Sequence, residues 1–106
     1  LAPDLGLLRR VEGVRAVGVT APGEQSDFAS RLFAPVLGID EDPVTGSLHS
    51  LLTPFWAERF GRDALSARQI SRRGGSIRCV RDGDRVRLAG KAVTYLEGTI
   101  RFDAAD

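Results

Sequence analysis

The 106-residue sequence predicts an α+β fold in which one central helix is wrapped by a curved, mainly antiparallel sheet. Three observations lead there. Apolar residues recur at Leu48, Leu51, Leu52, Phe55, Trp56 and Phe60, the i, i+3, i+4, i+7 spacing of one helix face. Several short segments on either side alternate in character, the period of a strand. Those that follow the helix are joined by turn signals, of which Asp82-Gly83-Asp84 is the tightest.

Taken in order, Pro3 to Val11 reads as a short helix with Pro3 or Asp4 at its start, Leu5, Leu8 and Val11 on one side, and Gly13 ending it. Val14 to Thr20 has strand alternation, and Ala21-Pro22-Gly23-Glu24 is the turn after it. Asp27 to Ala34 is a second strand running into Pro35, and an acidic loop follows directly. The central helix spans about Gly46 to Phe60, with Gly61 as a left-handed stop. Pro54 in its interior removes one backbone hydrogen bond, so a kink is expected at a cost of about 3 kcal/mol unless packing compensates. Ala64 to Ser71 alternates weakly, Arg72-Arg73-Gly74-Gly75 is a turn, and Ser76 to Arg81, Arg85 to Ala89 and Ala92 to Phe102 complete an antiparallel meander. No repeat, linker or low-complexity tract interrupts the chain, which reads as one domain over residues 1–106.

Fifteen basic and 14 acidic residues leave a formal net charge of +1, which argues against a polyanionic partner such as nucleic acid. The single cysteine, Cys79, excludes an internal disulfide and a Cys-based zinc cluster, so a reducing compartment, the cytoplasm, is the expectation. No apolar run is long enough to span a membrane, and the N-terminus lacks the layout of a signal peptide. With no methionine and an opening Leu1-Ala2-Pro3-Asp4, the chain is expected to be part of a longer protein.

The stretch from Ile39 to Ser47 delivers polar groups to a helix start. Thr45 or Ser47 can cap the helix through a side-chain oxygen, and Gly46 leaves the first backbone N–H groups open to an anion. On residue type alone, Asp42 is an Asp-Pro turn that complements the helix dipole and Thr45 is a structural turn residue. His49 reads as a buried, hydrogen-bonded histidine, Arg72 to Gly75 as a strand connection with solvated arginines, and Cys79, Phe55 and Trp56 as core.

Arg31-Leu32-Phe33-Ala34-Pro35, then Gly38 to His49 with its Glu41-Asp42-Pro43-Val44-Thr45-Gly46-Ser47 block, then Pro54-Phe55-Trp56, Gln69 to Gly75 and Gly83 to Gly90 resemble the C-terminal half of PhzF-like, phenazine-biosynthesis-type isomerases. The resemblance covers nearly the whole chain. It implies one lobe of a diaminopimelate epimerase-like fold, in which two similar lobes each enclose a helix and the active site lies where the two helix starts face each other. The implied activity is isomerisation, as of a dihydro-hydroxyanthranilate, by moving a proton between carbons with no metal and no organic cofactor. Asp42 matches the family's active-site loop aspartate and Ser47 its serine at the helix start, which makes these two the catalytic candidates. Gly46, Ser47, Thr45 and His49 are the substrate-binding candidates. The family's principal glutamate, and a histidine opposite, belong to the N-terminal lobe. Leu48 and Ser50 flank His49 where Ala and Cys are commoner, a difference expected to alter packing rather than chemistry.

Proton abstraction from carbon needs a tuned carboxylate and a second group that protonates or orients, and Asp42 suits the second role. The expected partners are a small carboxylate-bearing substrate and the N-terminal lobe of the same protein, with a homodimer as a further option; neither nucleic acid nor membrane is expected. Alone, the lobe is expected not to turn over. The competing expectation is a free-standing half-domain that serves binding or oligomerisation without catalysis.

Overall fold

The computed structural model describes residues 1–104. In chain order it contains helix α1 (Leu5–Arg9), strands β1 (Val17–Pro22) and β2 (Phe28–Ala34), a 3-10 turn at Pro35–Leu37, strand β3 (Ile39–Asp42), helix α2 (Gly46–Phe60), and strands β4 (Ala64–Gln69), β5 (Gly75–Asp82) and β6 (Arg85–Ala89). One six-stranded sheet runs β1-β2-β4-β5-β6, with β3 also paired to β2. All pairs are antiparallel except β2 with β4. The α+β expectation holds, with α2 packed on β4, β5 and β6.

Local differences from the sequence reading have local causes. Helix α1 is shorter than Pro3 to Val11: Asp4 caps it by accepting the Leu7 N–H at 3.0 Å, and no residue of the helix is buried to extend it. Strand β1 begins and ends later than expected because pairing sets its limits, Val17 lying opposite Phe33 and Pro22 opposite Phe28. A proline is tolerated there because β1 is a sheet edge. Part of the acidic loop is a strand: Ile39 pairs with Ala34 and Asp42 with Leu32. Acidic side chains are uncommon in strands, but here Glu41 accepts two bonds from Arg31, at 2.7 and 3.0 Å, across that pair.

The segment from Ala92 to Phe102, expected to be a further strand, forms none. Alternation supplies a face, but the segment pairs with no strand: β6 ends the sheet, bonded only to β5, and its outer edge stays open. Val93, Tyr95, Leu96, Ile100 and Phe102 are consequently 82–97% exposed.

The core is one cluster of Phe28, Trp56, Ala57, Leu65, Ala67, Ile77 and Cys79, with Leu52 and Leu88 against it. Phe28 stacks on Trp56 at 5.8 Å, and Trp56 on Phe60 at 5.4 Å. The buried stripe of α2 is His49, Thr53, Trp56 and Ala57, so the face differs from the one the apolar residues mark. Leu51 is 75% exposed and Phe55, expected in the core, 44% exposed. Polar residues occupy the inner face because each finds a partner there: Thr53 donates to the His49 carbonyl, and His49 bonds through both ring nitrogens. The helix runs unbroken through Pro54 to Gly61, whose φ of 66° ends it in the left-handed conformation.

Phe28→Ala is expected to cost about 3–5 kcal/mol, whereas Leu51→Ala changes stability by less than about 0.5 kcal/mol. Urea unfolding midpoints of the two variants check the contrast; equal losses would place the core elsewhere.

Candidate active site

Strands β3 and β4 lie on the same edge of β2. Antiparallel β3 descends to Asp42 opposite Leu32, while parallel β4 ascends to Gln69 opposite Ser30. Their C-terminal ends therefore meet head on beside Arg31. Both chains must leave the sheet at that fork, β3 into α2 and β4 into the turn before β5. The Asp42–Gly46 connection and the Gln69–Gly75 turn are thus brought together by topology.

Side chains close the gap. Fully buried Gln69 accepts the Thr45 backbone N–H at Oε1 (2.6 Å). Its Nε2 donates to the Asp42 carbonyl at 2.8 Å and to Thr45 Oγ1 at 3.0 Å. The Thr45 hydroxyl in turn donates to Asp42 Oδ2. Two residues along, Ser71 Oγ donates to the Pro43 carbonyl at 2.7 Å and accepts the Gly74 N–H at 3.0 Å. Val44 presses on Gly75, where a Cβ would come within 2.7 Å of Val44 Cγ2, so only glycine fits without displacement. The arginines of this turn, Arg72 and Arg73, are exposed, as read from the sequence.

Thr45 occupies the cap position of α2, with extended backbone at φ −122° and ψ 109°, but makes no side-chain cap bond. The sequence reading had Thr45 or Ser47 capping the helix. The hydroxyl of Thr45 is instead taken by Asp42 and Gln69, and Ser47 already lies inside the helix. No side chain therefore covers the first amides, which carry the positive end of the helix dipole. Gly46 and Ser47 are exposed, and a Cβ at Gly46 would meet nothing within 4 Å, so the space over the helix start is open.

His49 supports this arrangement from below. Its Nδ1 lies 2.6 Å from the Thr45 carbonyl, an acceptor only, so Nδ1 carries the proton; Nε2, 3.0 Å from Ser30 Oγ, then accepts the serine hydroxyl. The ring is fully buried with both nitrogens engaged, and burial pushes its pKa below 6.5, partly offset by the Thr45 carbonyl. His49 is thus a neutral strut, not a group facing the open side. Cys79 is buried, and burial raises its pKa, an inert thiol as expected. Among the described residues no group of three or more His, Cys, Asp or Glu side chains is placed to hold a metal.

The larger hollow, about 1200 Å³ and open, is lined by Val44, Gly46, Arg68, Arg73 and Arg78; the smaller, about 480 Å³, by Glu41, Pro43, Ser71, Arg72 and Arg73. The larger hollow reaches the helix start at Gly46, and neither is lined by Asp42 or Ser47. Gln69 and Ser71 were read only as part of the Gln69 to Gly75 block, and Ser30 only as part of a strand, none with a role of its own. The signal for Gln69 and Ser30 was parity: Gln69 continues the inward series Leu65, Ala67, and Ser30 follows Phe28, so each is polar where an apolar residue is due.

One main helix packed on a six-stranded sheet defines an α+β fold of the kind found in PhzF-family proteins. The chain belongs to the phenazine biosynthesis-like protein family, whose model matches residues 2–98. An uncharacterized isomerase of Pseudomonas aeruginosa is 52% identical over 100 residues, covering 94% of this chain and 38% of that protein. Phenazine biosynthesis-like domain-containing protein 2 of mouse is 44% identical over 102 residues, covering 92% and 35%. The crystal structure of a PhzF-family phenazine biosynthesis protein from Enterococcus faecalis superposes with a TM-score of 0.77 at 42% identity, covering 90% of this chain and 39% of that one. The chain thus spans a little over a third of the length of the curated relatives it matches. No helix of the described residues is long and apolar enough to cross a membrane.

The His49 strut makes stability depend on pH. Its pKa is lower in the folded chain than the ordinary 6.5, so below that value the unfolded chain binds a proton that the folded chain refuses, and stability falls. Asp27, held down mainly by Arg62, and Glu41, held down mainly by Arg31, lose their stabilisation only as pH falls beneath their ordinary 3.8 and 4.5. Between about pH 7.5 and 5.5 the loss should therefore come from His49, and His49→Gln should flatten it. Urea midpoints across that range check this; an unchanged slope in the variant would show that another group titrates.

Proposed function

We propose that the chain forms the C-terminal lobe of a PhzF-like isomerase that moves a proton on a small carboxylate-bearing metabolite, with no metal or organic cofactor. In this reading the Gly46 and Ser47 backbone N–H groups receive the substrate carboxylate, the exposed Ser47 hydroxyl stands beside them, and Asp42 protonates or orients the reacting part of the substrate. Thr45 and His49 act from behind, holding the loop. The principal base is a glutamate of an N-terminal lobe, so this lobe alone does not turn over. One observation carries the reading: the start of α2 is uncapped and exposed while the Thr45 hydroxyl fixes the Asp42 carboxylate beside it.

An uncapped helix start favours an anion, and a carboxylate held by one hydroxyl keeps a second oxygen for a ligand. The exposed start of α2 and the exposed apolar residues Leu51, Tyr95 and Ile100 support a second lobe as the partner, which would exclude water from the reaction. We place the protein in the cytoplasm, as a homodimer of two-lobed chains. The buried, unpaired Cys79 agrees with a reducing compartment.

The test joins this chain to the N-terminal lobe of the Pseudomonas aeruginosa relative and follows solvent deuterium entering a dihydro-hydroxyanthranilate. Exchange is expected from the joined protein and not from the chain alone, and Asp42→Asn should slow it by about 100-fold or more. A folded joined protein that exchanges nothing would favour a half-domain that binds without catalysing.

A further inference from the structure

A threonine at the cap position of a helix ordinarily turns its side-chain oxygen onto the N–H of the second or third helical residue. Thr45 does not, although its backbone has the extended conformation of a cap. Its hydroxyl is turned the other way by two partners. The proton goes to Asp42 Oδ2, and Gln69 Nε2 donates to the oxygen at 3.0 Å. Gln69 is itself fixed, since its Oε1 accepts the Thr45 N–H at 2.6 Å and its Nε2 also donates to the Asp42 carbonyl at 2.8 Å. Fully buried at the end of β4, the amide has no freedom to release the hydroxyl.

We propose that Gln69 is a positioning residue that holds the Thr45 hydroxyl off the start of α2, so that the first amides of the helix stay open and the Asp42 carboxylate stays oriented beside them. The proposal rests on the reading of that helix start as the carboxylate site. It assigns the openness of the site to a competition: one hydroxyl can serve the helix or the aspartate, and Gln69 decides for the aspartate. Ser71 and His49 fix the backbone on either side, through the Pro43 and Thr45 carbonyls, so the choice falls on the Thr45 side chain.

The competition predicts a rescue. In Gln69→Ala the Thr45 hydroxyl is free to cap α2, which closes the amides. In Gln69→Ala with Thr45→Val no hydroxyl remains to cap, and the amides reopen. Amide hydrogen exchange of Ser47 and Leu48, read by 15N NMR on the whole chain, should slow by about fivefold in Gln69→Ala, the size of a side-chain cap, and return to the original rate in the double variant. Unchanged exchange in Gln69→Ala overturns the proposal. So does slowed exchange that persists in the double variant, which would make Gln69 a clamp of the fold alone. Should Gln69→Ala fail to fold, Gln69→Met fills the volume but has neither a donor nor a strong acceptor for Thr45 Oγ1, and the same slowing is expected.

Benzoate tests the underlying reading separately. It should shift the Gly46, Ser47 and Leu48 amide resonances of the unsubstituted chain, weaken by about fivefold in Gln69→Ala, and recover in the double variant. If benzoate moves nothing in the unsubstituted chain while the exchange pattern follows the rescue, the carboxylate reading falls and the Gln69 assignment stands.

Discussion

The structure depends on two strands sharing one edge of β2. An edge offers one row of backbone donors and acceptors, and here β3 takes the upper part and β4 the lower, running toward each other. Neither can continue past the other, so both leave the sheet at Arg31. Helix α2 must start there because β3 ends there, and the β4–β5 turn must pass beneath it. The meeting of an acidic segment, a helix start and a polar turn is thus a result of chain topology before any side chain is considered.

Side chains then set what the fork exposes. Four buried polar residues, Gln69, His49, Thr53 and Ser30, sit within or against the core, and each has a partner. In such surroundings an unmade hydrogen bond costs more than a made one contributes, so the network admits few alternative arrangements. That rigidity keeps a neutral imidazole beneath the Thr45 carbonyl and an amide against its hydroxyl. The charged groups at the periphery act differently. Arg31 with Glu41 and Arg62 with Asp27 lie across strand and loop junctions, where they fix register more than they add stability.

The sheet, the central helix, its glycine stop and the Gly83-Asp84 hairpin were legible because each rests on local signals: period, turn residues and caps. The inner face of α2 was legible only in part: His49 and Trp56 read as buried and are, but Leu51 and Phe55 count as apolar wherever they point, and Thr53 enters the core only because a backbone carbonyl waits there. Strand β3 was hidden by its Asp and Glu residues, whose pairing depends on Arg31, several residues earlier in the chain. Asp42, Gly46 and Ser47 became candidates through a recognisable block of residues. Gln69 lay 24 residues from Thr45, and its role follows from parity in β4 together with a parallel pairing that no local pattern announces. The tail from Ala92 shows the converse, a convincing strand pattern that leaves the open edge of β6 unpaired.

The placement of the two largest polar aromatics has a practical side. Trp56, the only tryptophan, is 7% exposed, stacked between Phe28 and Phe60, and donates its indole N–H to Thr20 at 2.9 Å. Tyr95, the only tyrosine, is 97% exposed on the unpaired tail. The chain therefore carries two built-in fluorophores in separate environments. Indole emission reports on the interior of the helix–sheet core, and phenol emission or its quenching reports on whatever comes to cover the tail, with no label added.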